Sequence, residues 1–166
     1  LKTDVIANLS YQRSGSTHTE LGMELAYGIL QNSGADYKNP LSANYRNAAV
    51  VVFTDGTPYN VDLDLKPKTV DIANNAISKA KDCKDAGADV YTVGLKVAFE
   101  TKYDSPYYFT TNKFMSVLSS NYPKATDLTK TGAQTSNRYF YSADNQSQLT
   151  DIFQKICTTT VAGKTD

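Results

Sequence analysis

Apolar positions along the chain follow two rhythms. Residues 48–53 (AAVVVF) are an unbroken apolar run rich in Val, the pattern of a strand buried on both faces of a parallel sheet. Residues 90–97 (VYTVGLKV) repeat that pattern, and Tyr139-Phe140-Tyr141 predicts a third, shorter strand. Between these runs the spacing turns helical. Leu21, Leu25 and Ile29, flanked by Ala26 and Leu30, predict a helix from Thr17 to about Asn32 with that stripe turned inward and Gly34 as its stop. Thr69 can cap a second helix over 70–86, whose inner stripe is Ile72, Ala73, Ala76, Ile77, Ala80 and Cys83, and Gly87 ends it. A short helix over 113–119 turns Phe114, Val117 and Leu118 inward. A last one over 146–158, capped by Asp144 or Asn145, carries Leu149, Ile152, Phe153 and Ile156. The polar tail over 159–166 is expected to fray. Residues 1–9 predict a further short helix, with Val5, Ile6 and Leu9 on one side.

Strand, helix, strand in that order is a βαβ unit, so its two strands should run parallel with a right-handed crossover. The first strand ends abruptly at Thr54-Asp55-Gly56-Thr57-Pro58, where Gly and Pro let the chain turn out of the sheet. Asp55 therefore stands at the carboxyl end of a central strand, the edge where open α/β sheets bind ligands. The same Asp also reads as a plain turn cap. Residues 98–112 (AFETKYDSPYYFTTN) leave the second strand at that edge. Tyr103, Tyr107, Tyr108 and Phe109 make this loop more aromatic than solvation requires, and two readings stand: an interface, or a loop folded back on the body. Residues 121–136 are a polar loop with no predicted structure.

Length and composition narrow the function classes. A chain of 166 residues fits one domain. Seventeen basic and 17 acidic side chains give zero formal charge, which argues against a nucleic-acid partner. No apolar run approaches the roughly 18 residues of a membrane span, and no signal peptide is visible. Twelve Tyr and no Trp, with many Asn and Thr, suit an extracellular surface. His18 is the only His, which excludes a multi-His metal site; it is expected in the exposed first turn of its helix. Thr17 and Glu20 have the spacing of a capping box. Cys83 and Cys157 both fall on apolar helix faces, either as buried thiols or as one disulfide in an oxidising compartment.

Four stretches together resemble one family. They are Ser14-Gly15-Ser16-Thr17-His18-Thr19-Glu20-Leu21-Gly22 opening a helix, the strand VVVFTDG, the helix-strand KDAGADVYTVGL and the closing YFYSADNQSQLTDIFQKI. In this order they span nearly the whole chain and are similar to a von Willebrand factor type A domain. The resemblance implies an α/β fold, a three-layer Rossmann-like sheet with helices on both faces. It also implies a metal-ion-dependent adhesion site at the carboxyl edge of the sheet. By motif, Thr17 matches the family's Thr and Asp55 the family's Asp, whose counterpart commonly acts through water. Mg2+, or Mn2+ or Ca2+ in its place, takes hard oxygen ligands and keeps waters readily. An open coordination position is then left for a carboxylate of a partner protein.

The sequence departs from the family at one point. No Asp-x-Ser-x-Ser lies upstream of Thr17, and Ser14 and Ser16 do not replace it. The resemblance implies that the first third of the domain is missing, either because the chain is part of a longer protein or because another chain supplies the strands. An open apolar strand edge is the expected consequence. The resemblance points to a non-catalytic adhesion or ligand-binding module of a surface or secreted protein, such as a pilus-associated one, with Tyr103, Tyr107, Tyr108 and Phe109 contacting the ligand. The alternatives are a structural or assembly module of a pilus or filament with the metal site unused, and an intracellular A domain similar to metal-chelatase subunits. An enzyme is disfavoured: the chain has no Gly-x-Gly-x-x-Gly, phosphate loop or nucleophile elbow. The tripeptides Asn8-Leu9-Ser10 and Asn145-Gln146-Ser147 are glycosylation acceptors if the protein is secreted by a eukaryote.

Overall fold

Three parallel strands lie at the centre of the computed structural model, which describes residues 17–54, 58, 69–95 and 111–162. They are β1 (Ala49–Thr54), β2 (Asp89–Leu95) and β3 (Phe140–Ala143), in the order β1-β2-β3. β1 pairs with β2 from Ala49↔Asp89 to Thr54↔Gly94, and β2 with β3 from Thr92↔Phe140 to Leu95↔Ala143. Four helices surround them: α1 (Thr19–Asn32), α2 (Thr69–Asp85), α3 (Thr111–Leu118) and α4 (Gln146–Ala162). The expected helix over 1–9 lies outside the described residues.

Period-2 alternation divides the strand side chains between two cores. On one face Val50, Val52, Val90 and Phe140 meet Met23 of α1, the stripe of α2 and Phe114, Met115, Val117 and Leu118 of α3. On the other face Tyr91 and Val93, with Ala49, Tyr139 and Tyr141, meet Leu149, Ile152 and Ile156 of α4. Helices thus cover both faces, the three-layer α/β arrangement expected. Burial also pushes the Tyr91 hydroxyl up to about 12. The α2 stripe is as expected: Ile72, Ala73, Ala76, Ile77, Ala80 and Cys83 are all fully buried. Gly87 follows with φ +101°, the left-handed stop that glycine adopts without strain.

Several expectations need correction. α1 is rolled away from the predicted face: Leu21, Leu25 and Ile29 are 59%, 66% and 62% exposed. The flanking Ala26 and Leu30 do face the core, joined there by Met23 and Tyr27. Both sets recur at helical spacing, and packing against α2 selects the second. β1 is not buried on both faces, because among the described residues nothing pairs with its outer edge; Val51 and Phe53 are 37% and 48% exposed. Phe53 leans on Phe153 with ring centroids 6.3 Å apart, and Phe153 is itself partly exposed. Cys83 is buried, but Cys157 faces solvent, and both are free thiols. They lie on helices packed against opposite faces of the sheet, which separates them. α3 begins two residues earlier than predicted, at Thr111, and α4 runs on to Ala162.

The polar loop after α3 is built rather than irregular. Ser120 acts as a substitute strand where β3 has not yet begun: its N–H donates to the Val90 carbonyl at 2.8 Å, and its Oγ accepts the Val90 N–H at 2.8 Å. Asn121 Oδ1 accepts the Tyr139 N–H at 3.1 Å and so guides the chain into β3. Lys84 Nζ donates to the carbonyls of Leu118, Ser119 and Tyr122 at 3.2, 3.1 and 3.0 Å. A cation there satisfies the carbonyls that end α3, and burial pulls the ammonium down to about 8. Asp127 accepts bonds from the Thr129 hydroxyl and the N–H groups of Lys130 and Thr129 at 2.6, 2.7 and 2.8 Å. These bonds, the hydroxyl first, hold its carboxyl down at about 2.

Candidate functional site

The chain runs from α1 through a loop into β1, so α1 is antiparallel to the strand. Fourteen residues at about 1.5 Å rise match six residues at about 3.3 Å, so the start of α1 lies beside the end of β1. A groove of about 350 Å3 runs between them. Thr17, His18, Thr19, Gly22, Met23 and Ala26 form one wall, and Val50 through Thr54 form the other. Thr17 is exposed there. Thr17 and Thr54 both line this groove. Asp55 itself lies outside the described residues, as do Tyr103, Tyr107, Tyr108 and Phe109.

The expected capping box is not formed. His18 is the N-cap position of α1 and makes no side-chain cap bond. Its Nδ1 instead meets Glu20 Oε1 at 2.8 Å, which leaves the imidazole half-buried rather than freely exposed. Glu20 is more deeply held, with 12% of its side chain exposed. Its second oxygen, Oε2, is buried and has no hydrogen-bond partner among the described residues, whereas buried polar atoms normally find one. Sequence reasoning missed it because the Thr-x-x-Glu spacing already accounted for the residue.

The polar residues lining the groove are Thr17, His18, Thr19 and Thr54, beside apolar side chains of α1 and β1. Hydroxyl oxygens are the donor type that suits Mg2+, Mn2+ or Ca2+. Among the described residues no three His, Cys, Asp or Glu side chains come together. A second cleft, of about 490 Å3, lies between α3 and the loop after it, lined by Asn112, Ser116, Tyr122, Leu128 and Thr131 among others. Asn112 Oδ1 is likewise buried without a partner. Thr17, the one predicted site residue among the described residues, does not border that cleft.

Several large apolar side chains are exposed among the described residues. Leu21, Leu25 and Ile29 on α1, Val51 and Phe53 on β1 and Phe153 on α4 are all exposed large apolar side chains. No helix among the described residues is long and apolar enough to cross a membrane.

Comparison with known proteins adds one finding. Residues 3–155 match the sequence model of the von Willebrand factor type A domain. No curated protein and no solved structure matches the chain.

Proposed function

The chain belongs to the von Willebrand factor type A family, and from that premise we propose that it is a ligand-binding module of a surface or secreted protein. Members of the family are generally non-catalytic modules that mediate protein interactions, and this chain is read as having no catalytic role. Thr17 and Asp55 hold a divalent cation at the carboxyl edge of the sheet, Thr17 through its hydroxyl and Asp55 through water. The cation, when bound, supplies an open coordination position for a carboxylate of the partner protein. Tyr103, Tyr107, Tyr108 and Phe109 add apolar contact around that carboxylate. The observation that supports this reading is that Thr17 and Thr54, the residue before Asp55, both line one groove. Mn2+ titration followed by electron paramagnetic resonance tests it. Thr17→Ala and Asp55→Ala are each expected to lose most of the bound Mn2+, and unchanged binding in both refutes the cation site.

A second reading, an assembly module, rests on the outer edge of β1, which no other strand among the described residues pairs with. An edge strand offers a row of backbone donors and acceptors to another strand. Here the layers on either side are apolar, through Leu21 and Leu25 on one face and Phe153 on the other. The partner is therefore a strand that is apolar on both faces, from another chain or another segment. Phe53→Lys is expected to weaken such association in light scattering, and no change in mass distribution counts against it.

A further inference from the structure

The cleft between α3 and the loop after it has a polar lining of one chemical sense. Its volume, about 490 Å3, lies in the range of small-ligand sites, about 300–1,000 Å3. Thr129, Thr131 and Tyr122 line its loop wall. Each has already given its hydroxyl proton to a neighbour in the loop. Thr129 Oγ1 donates to Asp127 Oδ1 at 2.6 Å, and that carboxylate stays ionised down to about pH 2, so it has no proton to return. Thr131 Oγ1 donates to the Gly132 carbonyl at 3.1 Å. Tyr122 Oη donates to Gln134 Oε1 at 3.0 Å, and the Gln134 amide is oriented by its own bond from Nε2 to the Ser136 carbonyl at 2.8 Å. The three oxygens therefore keep only lone pairs for a ligand. Asn112 on the α3 wall adds a fourth acceptor, its Oδ1 being buried with no hydrogen-bond partner among the described residues. The loop wall is also fixed in advance. Asn74 Oδ1 accepts the Leu128 N–H at 3.0 Å, and Lys84 holds the Tyr122 carbonyl at 3.0 Å. Walls formed beforehand lower the cost of binding.

A ligand for this cleft must bring donors, and charge narrows it further. Lys113 is the one charged side chain among the described lining residues, so a cation meets repulsion there and no carboxylate. An anion meets acceptors that have no proton to offer it. Sugar hydroxyls donate without net charge, and the C–H faces of a sugar ring suit the apolar side chains of Val117, Leu128 and Phe140 in the same lining. We propose that this cleft binds a neutral saccharide, whose hydroxyls donate to Thr129, Thr131, Tyr122 and Asn112. The cleft shares no lining residue with the groove between α1 and β1, and the proposal does not rest on the cation reading.

The test runs in EDTA, so that its result is independent of any bound cation. A printed array carrying neutral oligosaccharides beside sialylated, sulfated and cationic glucosamine ones is probed with the full chain, and the strongest ligand is then titrated by amide NMR. Neutral glycans are expected to bind, with amide shifts centred on residues 112–117 and 129–131. Thr131→Val keeps the shape and removes one acceptor, and affinity is expected to fall about 2- to 10-fold. Ser116 is half-buried and lines the cleft, so Ser116→Tyr fills it from the α3 side and binding should be lost. A melting temperature within about 5 °C of the parent identifies a folded variant. If Ser116→Tyr does not fold, Thr131→Val carries the test. Four results each overturn the proposal: no glycan bound, a charged glycan bound most strongly, shifts centred elsewhere, or parent-like affinity in a folded variant.

Discussion

Replacing Ser120 with Ala isolates the device that stands in for a strand beside β2. Ser120 is 9% exposed and Val90 fully buried, so solvent does not reach the pair freely. The substitution removes one acceptor, the Oγ 2.8 Å from the Val90 N–H, and leaves the backbone bond from Ser120 N–H to the Val90 carbonyl in place. The loop therefore keeps its path while one buried N–H is orphaned. Leaving such a donor unsatisfied costs about 1–3 kcal/mol. With a urea m-value of roughly 2 kcal/mol/M, the midpoint should fall by about 0.5–1.5 M at unchanged m. Thr159→Ala is the control: its hydroxyl only bonds back to the Lys155 carbonyl on an exposed helix face, and it should stay within about 0.5 kcal/mol of the parent. Urea unfolding followed by circular dichroism reads both. A Ser120→Ala midpoint indistinguishable from that of Thr159→Ala refutes the reasoning, because a buried N–H would then have lost its only side-chain acceptor at no cost.

Three further outcomes are expected. Gly87→Ala should destabilise by about 2 kcal/mol or more, since φ +101° disfavours a side chain and its Cβ would press on the Tyr37 carbonyl; hydrogen exchange should quicken over residues 36–46, and parent-like exchange there counts against the contact. Asp127 titrates in the fold at about 2, below its usual value near 3.8, so its stabilisation is complete above pH 4 and is lost as pH falls toward 2. After solvent screening this is worth about 1 kcal/mol, and the gap in urea midpoint between the parent and Asp127→Ala should shrink between pH 5 and pH 2. A thiol reagent at pH 8 should label Cys157 and spare Cys83, whose thiol is buried and pushed up to about 11; mass spectrometry of labelled peptides that finds both modified without denaturant refutes the burial.

The candidate site was legible in part. Thr17 and Asp55 came from motif resemblance, because a cation needs those oxygen donors at the turns that leave strands and open helices. Thr17 and Thr54 line one groove, and Asp55 lies outside the described residues. The place of Glu20 was not legible. A glutamate three places after a threonine satisfies a local rule for helix starts, and only the fold directs its carboxylate to His18 and leaves Oε2 alone.

Local chemistry determined most of the elements. The α2 stripe has one apolar face, so only one orientation buries it, and Gly87 ends the helix because only glycine adopts that backbone without strain. The strands at 49–54 and 89–95 were plain from Val-rich runs, and their parallel pairing from the helix between them. Tertiary structure decided the rest. α1 carries two apolar stripes at the same spacing, and periodicity cannot rank them; contact with α2 buries Met23, Ala26, Tyr27 and Leu30 and turns Leu21, Leu25 and Ile29 outward. A Val-rich strand reads the same at the centre of a sheet and at its edge, because the difference lies in the neighbour and not in the strand. Ser120 looks like any loop serine until β2 lies beside it. Each of these outcomes depends on groups far apart in the chain, and a local pattern of side chains holds no record of them.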